Sequence, residues 1–221
     1  MKYPVIKNLA IVFLACIFLF GCSSTVSKEE KIIKKLKGLN SYSCNAIVKV
    51  KNNKSIMKYE LKHYYKKNIG FRLEVAKPED LKGQILIYKA NEVFLYNPVS
   101  NNVLAIDDSN GMFGYHTILG TFLQYYDEHN VDEIKDENYK NFECFTYRFT
   151  LTNSNIYMYQ VRCFVNKENG LPVKMDILDK DGNKTTEVEY VDFALNPRID
   201  NEIFELEKIH TAKKGDYGLK N

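Results

Sequence analysis

From Ser41 onward the chain is cut into short segments of alternating apolar and polar residues, closed by Asn, Asp, Gly or Pro. Side chains on a strand point alternately to the two faces, so this pattern specifies strands with one buried face. The short turns between them specify antiparallel neighbours. Segments 42–50, 56–66, 71–75, 84–88, 92–96 and 103–106 form a first run, and 142–151, 157–165, 171–178 and 185–193 a second. Two helical stretches interrupt the pattern. In 28–37, Ile32, Ile33 and Leu36 share one stripe, Ser27 and Glu30 make a capping box, and Gly38 is a stop. In 112–126, Phe113, Ile118, Leu119, Phe122 and Leu123 give a broad apolar face, weakened by Gly114 and Gly120. A sheet of about ten or eleven strands curls. The expected fold is therefore mainly β (α+β). It is a strongly curved antiparallel half-barrel, with the N-terminal helix and the central helix closing its concave face.

The first residues are read separately. Lys2 and Lys7 precede an unbroken apolar run of twelve residues, 9–20, followed by Gly21-Cys22-Ser23-Ser24. A basic flank, a short apolar core and a small residue at the cut are the layout of a secretory signal. Twelve residues of helix span about 18 Å, against roughly 30 Å of bilayer hydrocarbon, which argues against a permanent span. Leu19-Phe20-Gly21-Cys22 resembles a bacterial lipobox, in which the cysteine thiol is acylated and becomes the new N-terminus. The expected organisation is a signal peptide at 1–21, a polar tether at 22–27, one domain at 28–208 and a frayed tail at 209–221. Cys22 is the expected lipid attachment site. It would place the protein on the extracytoplasmic face of the cell membrane, held firmly by two or three acyl chains.

With 221 residues, one domain is expected. Removing Lys2 and Lys7 with the leader leaves 29 Lys+Arg against 28 Asp+Glu, a net of +1, which excludes a dedicated nucleic-acid binder. The carboxylates fall in turns, and the spaced Asp pattern of a calcium loop is absent. His63, His116 and His129 lack metal-ligand spacing, so no metal site is expected. No Gly-x-Ser-x-Gly elbow, Ser-x-x-Lys or Gly-rich phosphate cradle occurs, so neither an enzyme nor a cofactor is expected. If Asn153-Ser154 is a two-residue turn, Cys144 lies opposite Cys163. That leaves a cross-strand disulfide open, with separate buried thiols, Cys44 among them, as the favoured reading. The strands are rich in Tyr and Phe, which fits core packing, with a greasy concave binding face as the alternative.

Phe71-Arg72-Leu73-Glu74-Val75 followed by Pro78, then Gln84-Ile85-Leu86-Ile87-Tyr88 and Val93-Phe94-Leu95-Tyr96-Asn97-Pro98, resemble the central strands of the LolA/LolB/RseB-like lipoprotein-localisation superfamily. Gly170-Leu171-Pro172-Val173-Lys174, Asp181-Gly182, Val188-Glu189-Tyr190 and Asn201-Glu202-Ile203-Phe204 resemble its closing hairpin and final segment. The family Trp expected near Phe94 is absent. Within the superfamily the chain is most similar to the GerS-like germination and sporulation lipoproteins. The resemblance implies a half-barrel with helices over an apolar cavity. Phe113, Ile118, Leu119, Phe122, Phe94 and Tyr96 are its cavity or lid candidates. It also implies action through a protein partner, a cortex N-acetylmuramoyl-L-alanine amidase, without chemistry of its own. A lipid or lipoprotein carrier is the alternative. An exposed sheet edge could also self-pair into a homodimer.

Overall fold

The structure is a computed structural model that describes residues 27–51, 55–89, 92–107, 122, 131–151 and 155–205. The signal peptide, Cys22 and the tail at 209–221 fall outside these residues, as does most of the central helical stretch.

Among the described residues, a helix α1 (Lys28–Lys37) is followed by eleven strands. These are β1 (Ser41–Lys51), β2 (Ile56–Lys66), β3 (Gly70–Lys77), β4 (Ile85–Lys89), β5 (Glu92–Asn97), β6 (Asn102–Asp107), β7 (Glu133–Tyr139), β8 (Phe142–Thr150), β9 (Gln160–Asn166), β10 (Pro172–Leu178) and β11 (Lys184–Leu195). They form one open, curved antiparallel sheet in the order β6-β5-β4-β3-β2-β1-β11-β10-β9-β8-β7. The topology is two meanders joined where β1 pairs with β11. Single 3-10 turns stand at Glu79–Leu81 and Asn201–Phe204.

The helix forms as its sequence specifies. Ser27 Oγ accepts from the Glu30 amide and Glu30 Oε2 accepts from the Ser27 amide, both at 3.1 Å. Ile32, Ile33 and Leu36 are buried in the main core, which lies on one face of the sheet. Ile32 packs over Gly170, whose left-handed φ of +74° turns β9 into β10. The final segment docks on the other face. Lys66 Nζ donates to the Ile199 carbonyl at 2.6 Å, Arg72 donates to the Ile203 carbonyl at 2.8 Å, and Phe204 is fully buried.

Two sequence readings are corrected. First, β7 has no apolar alternation (Glu-Ile-Lys-Asp-Glu-Asn-Tyr), yet it is a strand. It is an outermost strand whose ladder lies wholly on β8. Charged side chains on such an edge oppose sheet-to-sheet pairing and erase the pattern by which a strand is read. Second, the β8–β9 connection is longer than a two-residue turn. The Leu151 amide donates to the Tyr159 carbonyl and the Asn155 amide to the Met158 carbonyl, both at 3.0 Å. The register therefore moves by three residues, and Cys144 faces Asn166 while Cys163 faces Tyr147. This puts Cys144 and Cys163 on opposite faces of the sheet, so the bridge left open does not form and the favoured reading of separate buried thiols holds. Cys44, Cys144 and Cys163 are buried free thiols.

Gly70 has φ +142°, and a Cβ there would collide with the Tyr88 carbonyl oxygen. Gly182, also at positive φ, has open space around it. Gly70→Ala is expected to lower folding stability by about 2 kcal/mol or more, and Gly182→Ala by about 1 kcal/mol or less. Urea unfolding midpoints check the order.

Candidate functional site

Strand parity divides the aromatic residues between two faces. On the core face an aromatic row crosses the strands, with ring centroids 5.2 Å apart for Phe193–Tyr42, 5.4 Å for Tyr42–Tyr65 and 4.8 Å for Tyr65–Phe71. Stacked rings at this spacing add to the area they bury. Phe122 is fully buried in the same core, 5.3 Å from the Tyr147 ring and 6.2 Å from Phe149. Of the four central-stretch candidates it is the one described; Phe113, Ile118 and Leu119 lie outside the described residues. Phe94 and Tyr96 do not join it. Phe94 pairs with Ile87 and Tyr96 with Ile85, and with Val103 they form a separate cluster on the opposite face. Their in-register neighbours Tyr88 and Val93 belong to the main core. The superfamily resemblance placed Phe94 and Tyr96 at the cavity, and the period-two rule puts them on the other face. The core face opens toward β6, where Leu86 and Leu95 are half-buried and Leu104 is 59% exposed.

At the centre of the core face His63 stands opposite Cys44 across the β1–β2 ladder. The spacing of residues in the sequence gave no sign of this pair. Its electrostatics oppose nucleophilic chemistry. Burial pushes the Cys44 thiol well above its ordinary range and pulls the His63 imidazole down to about 3. Both groups are thus held neutral, whereas a catalytic pair requires thiolate beside imidazolium. Neither His63 ring nitrogen has a hydrogen-bond partner, and the ring meets Tyr190 edge-on at 6.2 Å. This is a packed core histidine.

The opposite face is ionic. Lys49 reaches Glu187 at 2.9 Å, and Lys184 reaches Glu187 at 2.7 Å and Asp176 at 3.2 Å. Lys184 and Lys49 together hold Glu187 down at about 2. Lys174 is buried, 3.0 Å from Asp176 and about 5 Å from the Tyr139 and Phe164 ring centres. A groove of about 800 Å³ beside the Glu79–Leu81 turn is lined by Lys62, Glu74, Glu79 and Lys82. Glu74 is bonded to Arg72 and Glu79 to Lys82, each at 2.8 Å, so its acids are already neutralised. Among the described residues no three His, Cys, Asp or Glu side chains gather in metal-binding geometry, and no helix is long and apolar enough to cross a membrane.

A profile for the family described as "Sporulation protein YdcC-like" matches residues 2–204. The chain belongs to this family. No curated protein matches it. Among solved structures it is similar to an uncharacterized conserved protein from Thermus thermophilus, with a TM-score of 0.55 and 12% identity over 81% of this chain and 94% of that one. That likeness carries the fold. It is also similar to a chain of the CwlD amidase in complex with the GerS lipoprotein from Clostridioides difficile, at 31% identity over 78% of this chain and 96% of that one, TM-score 0.47. A LolA superfamily protein from Nitrosomonas europaea matches at 13% identity over 80% and 96%, TM-score 0.45. The resemblance to sporulation lipoproteins read in the sequence agrees with this YdcC-like sporulation family.

The buried His63 gives the YdcC-like domain a defined acid response. The unfolded chain takes up a proton as pH falls through about 6.5, while the folded ring resists until about 3. The unfolded state therefore binds more protons in that window, and stability is lost as pH drops, by about 1.4 kcal/mol per pH unit from this group. His63→Leu is expected to flatten the slope by one proton between pH 6 and 4. Urea titrations of both proteins at several pH values measure it.

Proposed function

We propose that the protein is a lipoprotein of the cell envelope, acylated at Cys22, that acts by binding a protein partner and performs no chemistry. The specific partner we propose is a cortex N-acetylmuramoyl-L-alanine amidase of the sporulation or germination machinery. One observation carries this reading: 31% identity, over nearly the whole of that chain, to a component of the complex between the CwlD amidase and the GerS lipoprotein. The YdcC-like sporulation family supports the same setting. The neutral Cys44–His63 pair supports a binding role over a catalytic one.

The docking surface that fits best is the β6 edge. Both outermost strands, β6 and β7, offer backbone groups to an added strand, but β7 carries Lys135, Asp136 and Glu137, which oppose such pairing. β6 (Asn-Val-Leu-Ala-Ile-Asp) carries apolar residues instead. The same edge could pair two copies of the chain. A second reading, a carrier of lipid or lipoprotein, is favoured by the opening of the core face at Leu86, Leu95 and Leu104.

Co-expression of the full chain with the cortex amidase of the same organism tests the choice. The expected result is co-elution of the two proteins, weakened about tenfold or more by Leu104→Asp, since loss of an interface anchor costs of order 1.4 kcal/mol or above. Separate elution, with acyl chains released from the purified protein on denaturation, would replace the partner reading with the carrier.

A further inference from the structure

The exposed apolar side chains are unevenly distributed along the strands. Nine large ones are exposed among the described residues. Five of them, Ile56, Met57, Val99, Ile156 and Tyr157, stand at one end of the sheet, with exposures of 68%, 43%, 87%, 60% and 58%. This end carries the β1–β2, β3–β4, β5–β6, β8–β9 and β10–β11 connections. The opposite end has Phe142 and Val191, at 40% and 39%. The five are not mobile strays. The Ile156 carbonyl accepts from the Lys180 amide at 3.2 Å and the Tyr157 carbonyl from Thr185 Oγ1 at 2.9 Å, so the β8–β9 loop is fastened to the β10–β11 hairpin. Asn155 Oδ1 accepts from the amides of Tyr157 and Met158 at 2.8 and 2.9 Å, which fixes the loop from within. Ile56 faces Lys51 and Met57 faces Val50 on the adjoining β1–β2 hairpin.

The start of α1 lies at this same end. Ser27, Glu29 and Glu30 share a surface hollow with Val131, Asp132 and Ile134. Asp132 is tied to the end of β8: its amide donates to the Arg148 carbonyl and its carboxylate accepts from Thr150 Oγ1, both at 2.8 Å. The β8–β9 loop begins one residue later. Cys22 is five residues before Ser27, and five residues reach at most about 17 Å. An acyl anchor on Cys22 therefore holds this end of the sheet at the bilayer.

We propose that the end of the domain bearing Ile56, Met57, Val99, Ile156 and Tyr157 is a membrane-docking surface, which seats the sheet end-on against the bilayer that holds its lipid anchor. The inference rests on the reading of Cys22 as the acylated residue. Aliphatic side chains with a tyrosine, set at the hairpin ends, suit the bilayer interface, where the ring sits at headgroup level. Exposed charges of both signs surround them, Lys51, Lys58, Lys77, Lys82 and Lys180 with Glu79, Asp80 and Asp181, so apolar insertion drives the contact and anionic lipid is not required. End-on seating leaves the β6 edge running away from the membrane plane.

The chain has no tryptophan, so one introduced residue reports its own depth. Tyr157→Trp and, at the opposite end, Phe142→Trp are made in the full chain, purified with acylation at Cys22 verified by intact mass, and placed in phosphatidylcholine vesicles with brominated acyl chains. The expected result is a blue-shifted, strongly quenched Tyr157→Trp and an unquenched Phe142→Trp. An acylated protein whose Tyr157→Trp stays unquenched, or whose two tryptophans are quenched alike, overturns the proposal while leaving the anchor intact. If intact mass shows no acyl group, the anchor reading fails on its own. The same vesicles then test the surface alone: selective quenching of Tyr157→Trp sustains it, and no quenching removes it.

Discussion

The whole architecture hangs on the ladder between β1 and β11. These strands lie more than a hundred residues apart in sequence, and their pairing joins two meanders into one sheet. Without it each meander would expose a long strand edge, and neither would have a complete core face. The seam is reinforced on both sides. Ala46 and Val48 meet Tyr190 and Val188 on the core side, while Lys49 reaches Glu187 and Glu189 on the other. Cross-strand pairs of this kind are the units from which sheets gain stability. Because the contact is non-local, its loop-closure cost falls on folding.

The two faces that result have different characters, and function follows from the difference. The core face is apolar and nearly filled: α1 enters it through Ile32, Ile33 and Leu36, and Phe122 packs on Tyr147 and Phe149. Its buried polar groups are held neutral. The outer face spends its charges on one another, through Lys174, Asp176, Lys184, Glu187 and Lys49. Among the described residues neither face presents an activated nucleophile. What remains available is the perimeter: strand edges, hairpin tips and the open margin near Leu104. A YdcC-like domain built this way is suited to meeting other molecules along its rim.

Much of this was legible in the sequence, and the gaps have physical causes. Strands such as Ile56–Lys66 and Glu92–Asn97 were bounded within a residue because alternation and turn residues are local signals. The capping box at Ser27 and Glu30 was read directly. β7 was missed because an edge strand has no fully buried face to write an apolar pattern. The β8–β9 register was misread because Asn and Ser mark a turn without fixing its length, and a shift of three residues carried Cys144 away from Cys163. The Cys44–His63 neighbours were invisible because cross-strand pairing, and not spacing, brings them together. The grouping of Phe94 and Tyr96 with Phe122 failed for want of parity: adjacent residues on a strand face opposite ways.

We propose that this chain works as an anchored binding surface. Native mass spectrometry of the protein extracted in mild detergent from sporulating cells tests it most directly. The account expects an acylated chain carried in a stoichiometric complex with a second polypeptide. A chain without an acyl group, recovered alone and free of any bound polypeptide, would contradict it.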